Sequence, residues 1–131
     1  MKKEIKFRGM SLNGWVYGNY VMLVDKLGDA VDCIWELGAS RGTPVEYETI
    51  GQFTGVKDNN GTEIYEGDIL STDLSRPYLV VEFRNGAFMY QCHDSGSDYY
   101  DFMTSANGDS NFTKYHEVIG NIHEDSHLLE E

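Results

Sequence analysis

Proline and cysteine are nearly absent, at two residues each in a chain of 131. Two cysteines cannot supply the disulfide framework that small secreted domains use in place of a core. Cys33 and Cys92 also stand too far apart in sequence for a metal knuckle. They read as reduced, buried thiols. Long apolar runs are missing too. Met1-Lys2-Lys3 is basic, but Glu4-Ile5-Lys6-Phe7-Arg8 follows where a secretory signal would need unbroken apolar residues. No stretch approaches the roughly 20 apolar residues of a membrane-spanning helix. The expected location is the cytosol, without a membrane partner. Positive charge is scarce as well: ten Lys and Arg stand against 22 Asp and Glu, a net charge of -12. The imbalance is uneven, +3 over the first eight residues and -15 over the remainder. An acidic body behind a basic tip repels phosphate backbones, which argues against generic nucleic-acid binding unless the basic groups gather on one face.

Aromatic residues are plentiful, with nine Tyr and six Phe, and they argue for a folded domain over a disordered acidic chain. A chain of this length buries a modest core without staples, as one domain or two small subdomains. Four Asn-Gly pairs, at 13, 60, 85 and 107, supply hairpin turns, and no amphipathic helix stands out. The expected class is all-β.

The densest turn chemistry lies in Thr49–Leu70, TIGQFTGVKDNNGTEIYEGDIL. Val56-Lys57 and Glu63-Ile64-Tyr65 flank Asp58-Asn59-Asn60-Gly61, a hairpin, and Glu66-Gly67-Asp68 makes a second turn into the apolar Ile69-Leu70. Upstream, residues 4–8 alternate with Ile5 and Phe7 on one face, the pattern of a half-buried strand. Trp15–Tyr17 and Tyr20–Val24 read as strands, the second apolar enough to be buried on both faces. Ala30–Trp35 is another strand, and Gly38, Gly42 and Pro44 mark residues 36–46 as a loop. Downstream, Tyr78–Arg84 and Ala87–Gln91 form a hairpin about Asn85-Gly86. Residues 93–113 read as a long polar loop and Tyr115–Ile122 as the closing strand. His123–Glu131 is a tail with one helical turn near Leu128-Leu129.

Ile50–Asp58, Asn60-Gly61 and Glu63–Ile69 together resemble the central signature of the YopX family of phage and prophage proteins. The likeness extends to Glu4–Gly9, Trp15–Gly18, Val118–Ile122 and Leu128-Leu129, and so spans essentially the whole chain. It implies an SH3-like β-barrel in the C-terminal half, residues 50–123, joined to an N-terminal antiparallel β-meander, residues 1–49, with 124–131 as a tail. It implies no established activity, so no catalytic residue is carried over.

Candidates for chemistry are weak on their own terms. His123-Glu124-Asp125-Ser126-His127 matches H-E-x-x-H, which in metalloproteases sets two imidazoles on one metal by helical spacing. Here it follows the closing strand, where no buried helix fixes the geometry, and metal-dependent hydrolysis is the least favoured function. Asp58–Thr62 begins like a calcium loop, but Glu63 stands where Gly is required and Ile69 where the bidentate Glu belongs. Asp94, Asp98, Asp101 and Asp109 crowd the polar loop and could hold a hard cation. Cys92 and His93 are adjacent, so on a strand they face opposite ways and do not easily pair. No cofactor, metal site or catalytic residue is expected.

Tyr99 and Tyr100 are harder to assign to packing, because one of two consecutive residues in an extended segment faces outward. SH3-like barrels grip peptides with loop aromatics and acids, which makes Asp98, Tyr99, Tyr100 and Asp101 the candidate binding residues. The expected function is a non-enzymatic interaction module engaging a host or phage protein, or further copies of itself through its strand edges. The alternative is a nucleic-acid role, by contact through Lys2, Lys3, Lys6 and Arg8 or by acidic mimicry of DNA.

Overall fold

The computed structural model describes residues 4–72, 75–84, 86–94, 97–102 and 116–130. All the described regular structure is β-strand apart from two short 3-10 turns, Tyr47–Thr49 and Ser126–Leu129, and the strands form two antiparallel sheets. No described helix is long and apolar enough to cross a membrane. The chain divides into two compact units, Met1–Phe53 and Thr54–Glu131.

In the first unit, β1 (Phe7–Ser11) and β2 (Gly14–Val24) make a hairpin about Leu12-Asn13, in register from Ser11↔Gly14 to Phe7↔Gly18. β3 (Ala30–Trp35) returns along β2 from Val24↔Ala30 to Asn19↔Trp35. β4 (Thr43–Pro44) closes the far side of β3 for two residues. β5 (Gly51–Lys57) lies on the other side of β1, joined through Phe7↔Gln52 and Arg8↔Gly51. The turn at Tyr47–Thr49 is pinned to β1, since Met10 N–H donates to Thr49 Oγ1 at 2.8 Å and Glu46 N–H donates to Met10 O at 3.0 Å.

Two expectations for this unit change. The first strand starts at Phe7 rather than Glu4, and Ile5 is 61% exposed while Arg8 is 6% exposed. Arg8 can be buried because its guanidinium lies 4.5 Å from the Trp15 ring centre, so an aromatic face receives the charge while the aliphatic stem packs. The run Tyr20–Val24 is not buried on both faces. The β1 ladder ends opposite Gly18, and beyond it Met22, Leu23 and Val24 are exposed.

In the second unit, the end of β5 leads through Asp58–Thr62 into β6 (Glu63–Tyr65), the hairpin expected from Asn60-Gly61. Gly61 sits at φ +84° and Gly67 at φ +95°, a region that β-carbon sterics largely reserve for glycine. Asp58, 6% exposed, organises the first turn: its Oδ1 accepts Asn60 N–H and Thr62 N–H, each at 2.8 Å. Asp68, 1% exposed, does the same at the second turn, accepting Tyr65 N–H at 2.7 Å.

β7 (Asp68–Thr72), β8 (Ser75–Arg84), β9 (Ala87–Asp94), β10 (Ser97–Phe102) and β11 (Glu117–Asn121) form the second sheet, in the order β10-β9-β8-β7-β11. Its core joins Val56 and Ile64 to Leu70, Leu79 and Val81, with Phe88, Tyr90 and Val118 packed against them. Ile64 and Leu70 are wholly buried, and each such side chain contributes about 1.5–3 kcal/mol relative to exposure.

The sheets are open, not closed into the barrel that the family resemblance implied. Residues 97–102, expected in a loop, form β10 and occupy the free side of β9 where a closing strand would have to pair. Among the described residues β10 and β11 stand at the two edges of the sheet.

Candidate binding surface

The four residues expected to bind a partner lie on β10. Their backbone is paired with β9 as Asp98↔His93, Tyr99↔Cys92, Tyr100↔Gln91 and Asp101↔Tyr90, so they belong to an edge strand rather than a loop. Their side chains lie outside the described ones, as do those of Cys92 and His93. Of the acidic residues considered as cation ligands, Asp94 is on β9 and Asp98 and Asp101 on β10, while Asp109 lies outside the described residues.

The remaining chemical motifs are occupied by structure. His123 and Glu124 lie in a turn and His127 in the 3-10 turn after it, so no α-helix sets two imidazoles on one side. Asn121 Oδ1 accepts His123 N–H and Glu124 N–H, each at 3.0 Å, and its Nδ2 donates to Glu124 Oε1 at 3.0 Å. Asp125 Oδ2 accepts Asn121 N–H at 3.1 Å. The two acids of the motif thus hold the chain's exit from β11. The Asp58 turn is likewise saturated by backbone N–H groups. Among the described residues no group of three or more His, Cys, Asp or Glu side chains could hold a metal ion. Cys33 is 2% exposed, and burial, followed by the charge of Asp32, pushes its thiol pKa up, away from the reactive thiolate.

The basic tip is partly consumed as well. Lys6 Nζ is 3.1 Å from Glu4 Oε1 and 5.4 Å from the Phe53 ring centre, and Arg8 is buried against Trp15. Lys2 and Lys3 lie outside the described residues.

Among the described residues most exposed large apolar side chains lie in the first unit. Glu4–Lys6 part from β2 where the β1 ladder stops, and the opening they leave is a cleft of about 290 Å³. Glu4, Ile5 and Lys6 line one side, and Trp35, Glu36 and Leu37 face them past Gly18 and Asn19. The Trp35 wall is held in place. The Trp35 indole N–H donates to Ala39 O at 2.8 Å, and a Cβ on Gly18 would stand 2.2 Å from Trp35 O, so glycine permits the close approach of β2 to the end of β3. Leu37 at the rim is fully exposed.

Beyond the cleft, Asn19–Val24 and Ala30–Trp35 continue as a two-stranded arm ending in the turn Asp25–Asp29. Asp25 Oδ1 accepts Leu27 N–H and Asp29 N–H, each at 2.9 Å, which holds the turn and leaves Leu27 87% exposed at its tip. On the arm, Tyr20 O–H donates to Asp32 Oδ1 at 2.6 Å. That bond, with burial and the negative charge of Asp32, raises the phenol pKa above its ordinary 10.0.

Sequence reasoning missed this surface, although a signal was there. Leu12, Leu27 and Leu37 each sit in a turn beside Asn or Gly, at positions where polar residues satisfy backbone groups. All three are exposed. Met22, Leu23, Val24 and Ile5 are the other exposed aliphatic side chains of this unit, and Leu12 lies at the opposite end of β2 from Leu27.

Residues 6–130 match the family described as YopX protein. Among solved structures, the chain is similar to the crystal structure of protein EF1440 from Enterococcus faecalis, at 26% identity and a TM-score of 0.49, over 98% of this chain and 100% of that one. No curated protein matches it.

Proposed function

Because this chain belongs to the YopX family, whose resemblance implies no reaction, we propose a role carried by its surfaces: a non-enzymatic protein-interaction module, serving a phage, a prophage or a related mobile element. One observation carries the reading. Leu27, Leu37, Met22 and Val24 are 87, 103, 59 and 66% exposed in a single small unit whose turns are held by specific hydrogen bonds. Apolar side chains held out of a rigid scaffold are preordered for contact, which lowers the entropic cost of binding. The acids around them favour partners with basic rims. The edge strand β10, with Asp98, Tyr99, Tyr100 and Asp101, offers a second place for a partner strand.

The test is capture of proteins from bacterial lysate on the immobilised chain, with and without nuclease, beside a Leu27→Ser/Leu37→Ser variant. A protein enriched despite nuclease and lost with the variant supports the reading. Enrichment that disappears with nuclease overturns it in favour of nucleic acid, and enrichment indifferent to both leucines removes this surface from it.

A further inference from the structure

The arm has a bare backbone edge, and ladder geometry identifies its groups. Across an antiparallel pair, residues alternate between those bonded to the partner strand and those whose N–H and C=O point the other way. Asp25 N–H donates to Asp29 O at 2.9 Å, so Asp25, and with it Leu23, Val21 and Asn19, bond toward β3. The two-residue turn between Ser11 and Gly14 makes Gly14, Val16 and Gly18 the residues that bond toward β1. The two readings agree in phase. Tyr20, Met22 and Val24 therefore point their N–H and C=O out of the side that β1 has left. Among the described residues no strand pairs there.

This edge lacks the usual protections. From Asn19 to Val24 it has no charge, no proline and no shift of register against β3. The opposite edge of the same unit is protected, since β4 is two residues long and contains Pro44.

Building on the interaction reading above, we propose that the occupant is a second copy of this chain, pairing antiparallel along β2 with Met22 opposite Met22 on a two-fold axis. In that register Tyr20 of each copy faces Val24 of the other, and outward groups meet outward groups. Symmetry makes the case for a second copy over another protein. The cleft at Gly18 and the turn residue Lys26 lie four residues to either side of Met22, about 13 Å each way along an extended strand. A two-fold axis through Met22 thus carries each copy's Lys26-Leu27 turn toward the other's cleft, whose lining offers Glu36 and Glu4 to the cation, Glu4 already holding the cleft's own Lys6 at 3.1 Å, and Ile5 and Leu37 to the leucine. Knob and hole are on the same molecule, at matched distances, as a self-complementary interface requires. No two like charges stand opposite each other along the paired stretch.

Sedimentation velocity and native mass spectrometry across the micromolar to millimolar range test this on the full chain. The wild type should approach twice 14.9 kDa as concentration rises. Met22→Lys sets two cations together on the axis, and Met22→Pro removes an N–H that points outward and so leaves the β3 ladder intact. Both should remain at 14.9 kDa with an unchanged far-ultraviolet circular dichroism spectrum. In a Cys92→Ser background, Met22→Cys should form a disulfide-linked dimer under mild oxidation that the background alone does not form. A wild type that is monomeric throughout, or a dimer that survives both Met22→Lys and Met22→Pro, overturns the pairing. A monomeric wild type that still captures a lysate protein through Leu27 and Leu37 overturns the pairing alone, whereas a monomer that captures nothing ends the interaction reading as well.

Discussion

The carboxylate of Asp58 accepts a hydrogen bond from Val118 N–H at 2.9 Å, across sixty residues of chain. Its other oxygen holds the β5–β6 turn, so one buried side chain fastens a local hairpin to the last strand. Asn59 N–H to His116 O at 3.0 Å and Asn60 Nδ2 to Glu117 Oε2 at 3.0 Å extend the same junction. What reads in sequence as a poor calcium loop is a structural clasp.

Asp58→Ala removes the acceptor from three backbone N–H groups at a buried site. We expect a loss of about 1.5–3 kcal/mol, the range for hydrogen bonds to a charged group. Asp58→Asn keeps one carbonyl oxygen for the turn but turns an amide toward Val118 N–H, and should lose less. Urea unfolding of the two variants measures the order.

Tyr20 gives a pH prediction. Its pKa is raised in the folded protein, first by the hydrogen bond to Asp32. The folded state therefore holds the phenolic proton more tightly than the unfolded state. That contribution is complete below pH 10.0 and is lost as pH rises through the folded pKa. Tyr20→Phe should remove this part of the alkaline decline. Chemical denaturation of both proteins from neutral pH to above pH 10.0 checks it, and equal slopes would remove Tyr20 as the cause.

Gly18→Ala should be costly for the close approach it forces. The added methyl meets the Trp35 carbonyl at 2.2 Å, a backbone atom that cannot swing aside. Overpacking of this kind typically costs about 1–3 kcal/mol. Thermal unfolding followed by tryptophan fluorescence would report both the loss and any disturbance of Trp35.

Leu27→Ser and Leu37→Ser should behave in the opposite way. Both side chains are almost fully exposed, so stability should change by less than about 0.5 kcal/mol. Partner capture should fall all the same. Loss of both stability and binding would mean that the leucines support the fold rather than a contact.

Much of the architecture was legible because turn chemistry is local. Asn60-Gly61, Gly67 and Gly86 each stand where the chain reverses, and the strands between them follow from their composition. The residues that misled did so through tertiary context. Alternation put Ile5 inside, but a cation-π contact with Trp15 buries Arg8 instead. Residues 97–102 read as loop because Ser, Gly and Asp surround their aromatics, and they form a strand whose backbone pairs with β9. Tyr20–Val24 looked like a central strand, and only the length of β1, a property of pairing rather than of composition, leaves its edge open.

Residue-resolved amide hydrogen exchange along β2 tests the open edge most directly. At low concentration, Val21 and Leu23 should be protected by β3 while Tyr20, Met22 and Val24 exchange rapidly, and raising the concentration should protect these three selectively. Equal protection of all five amides at the lowest concentration would show the edge already covered within one chain. Rapid exchange of the three that persists at the highest concentration, with or without a captured partner, would contradict β2 as the surface on which this protein binds.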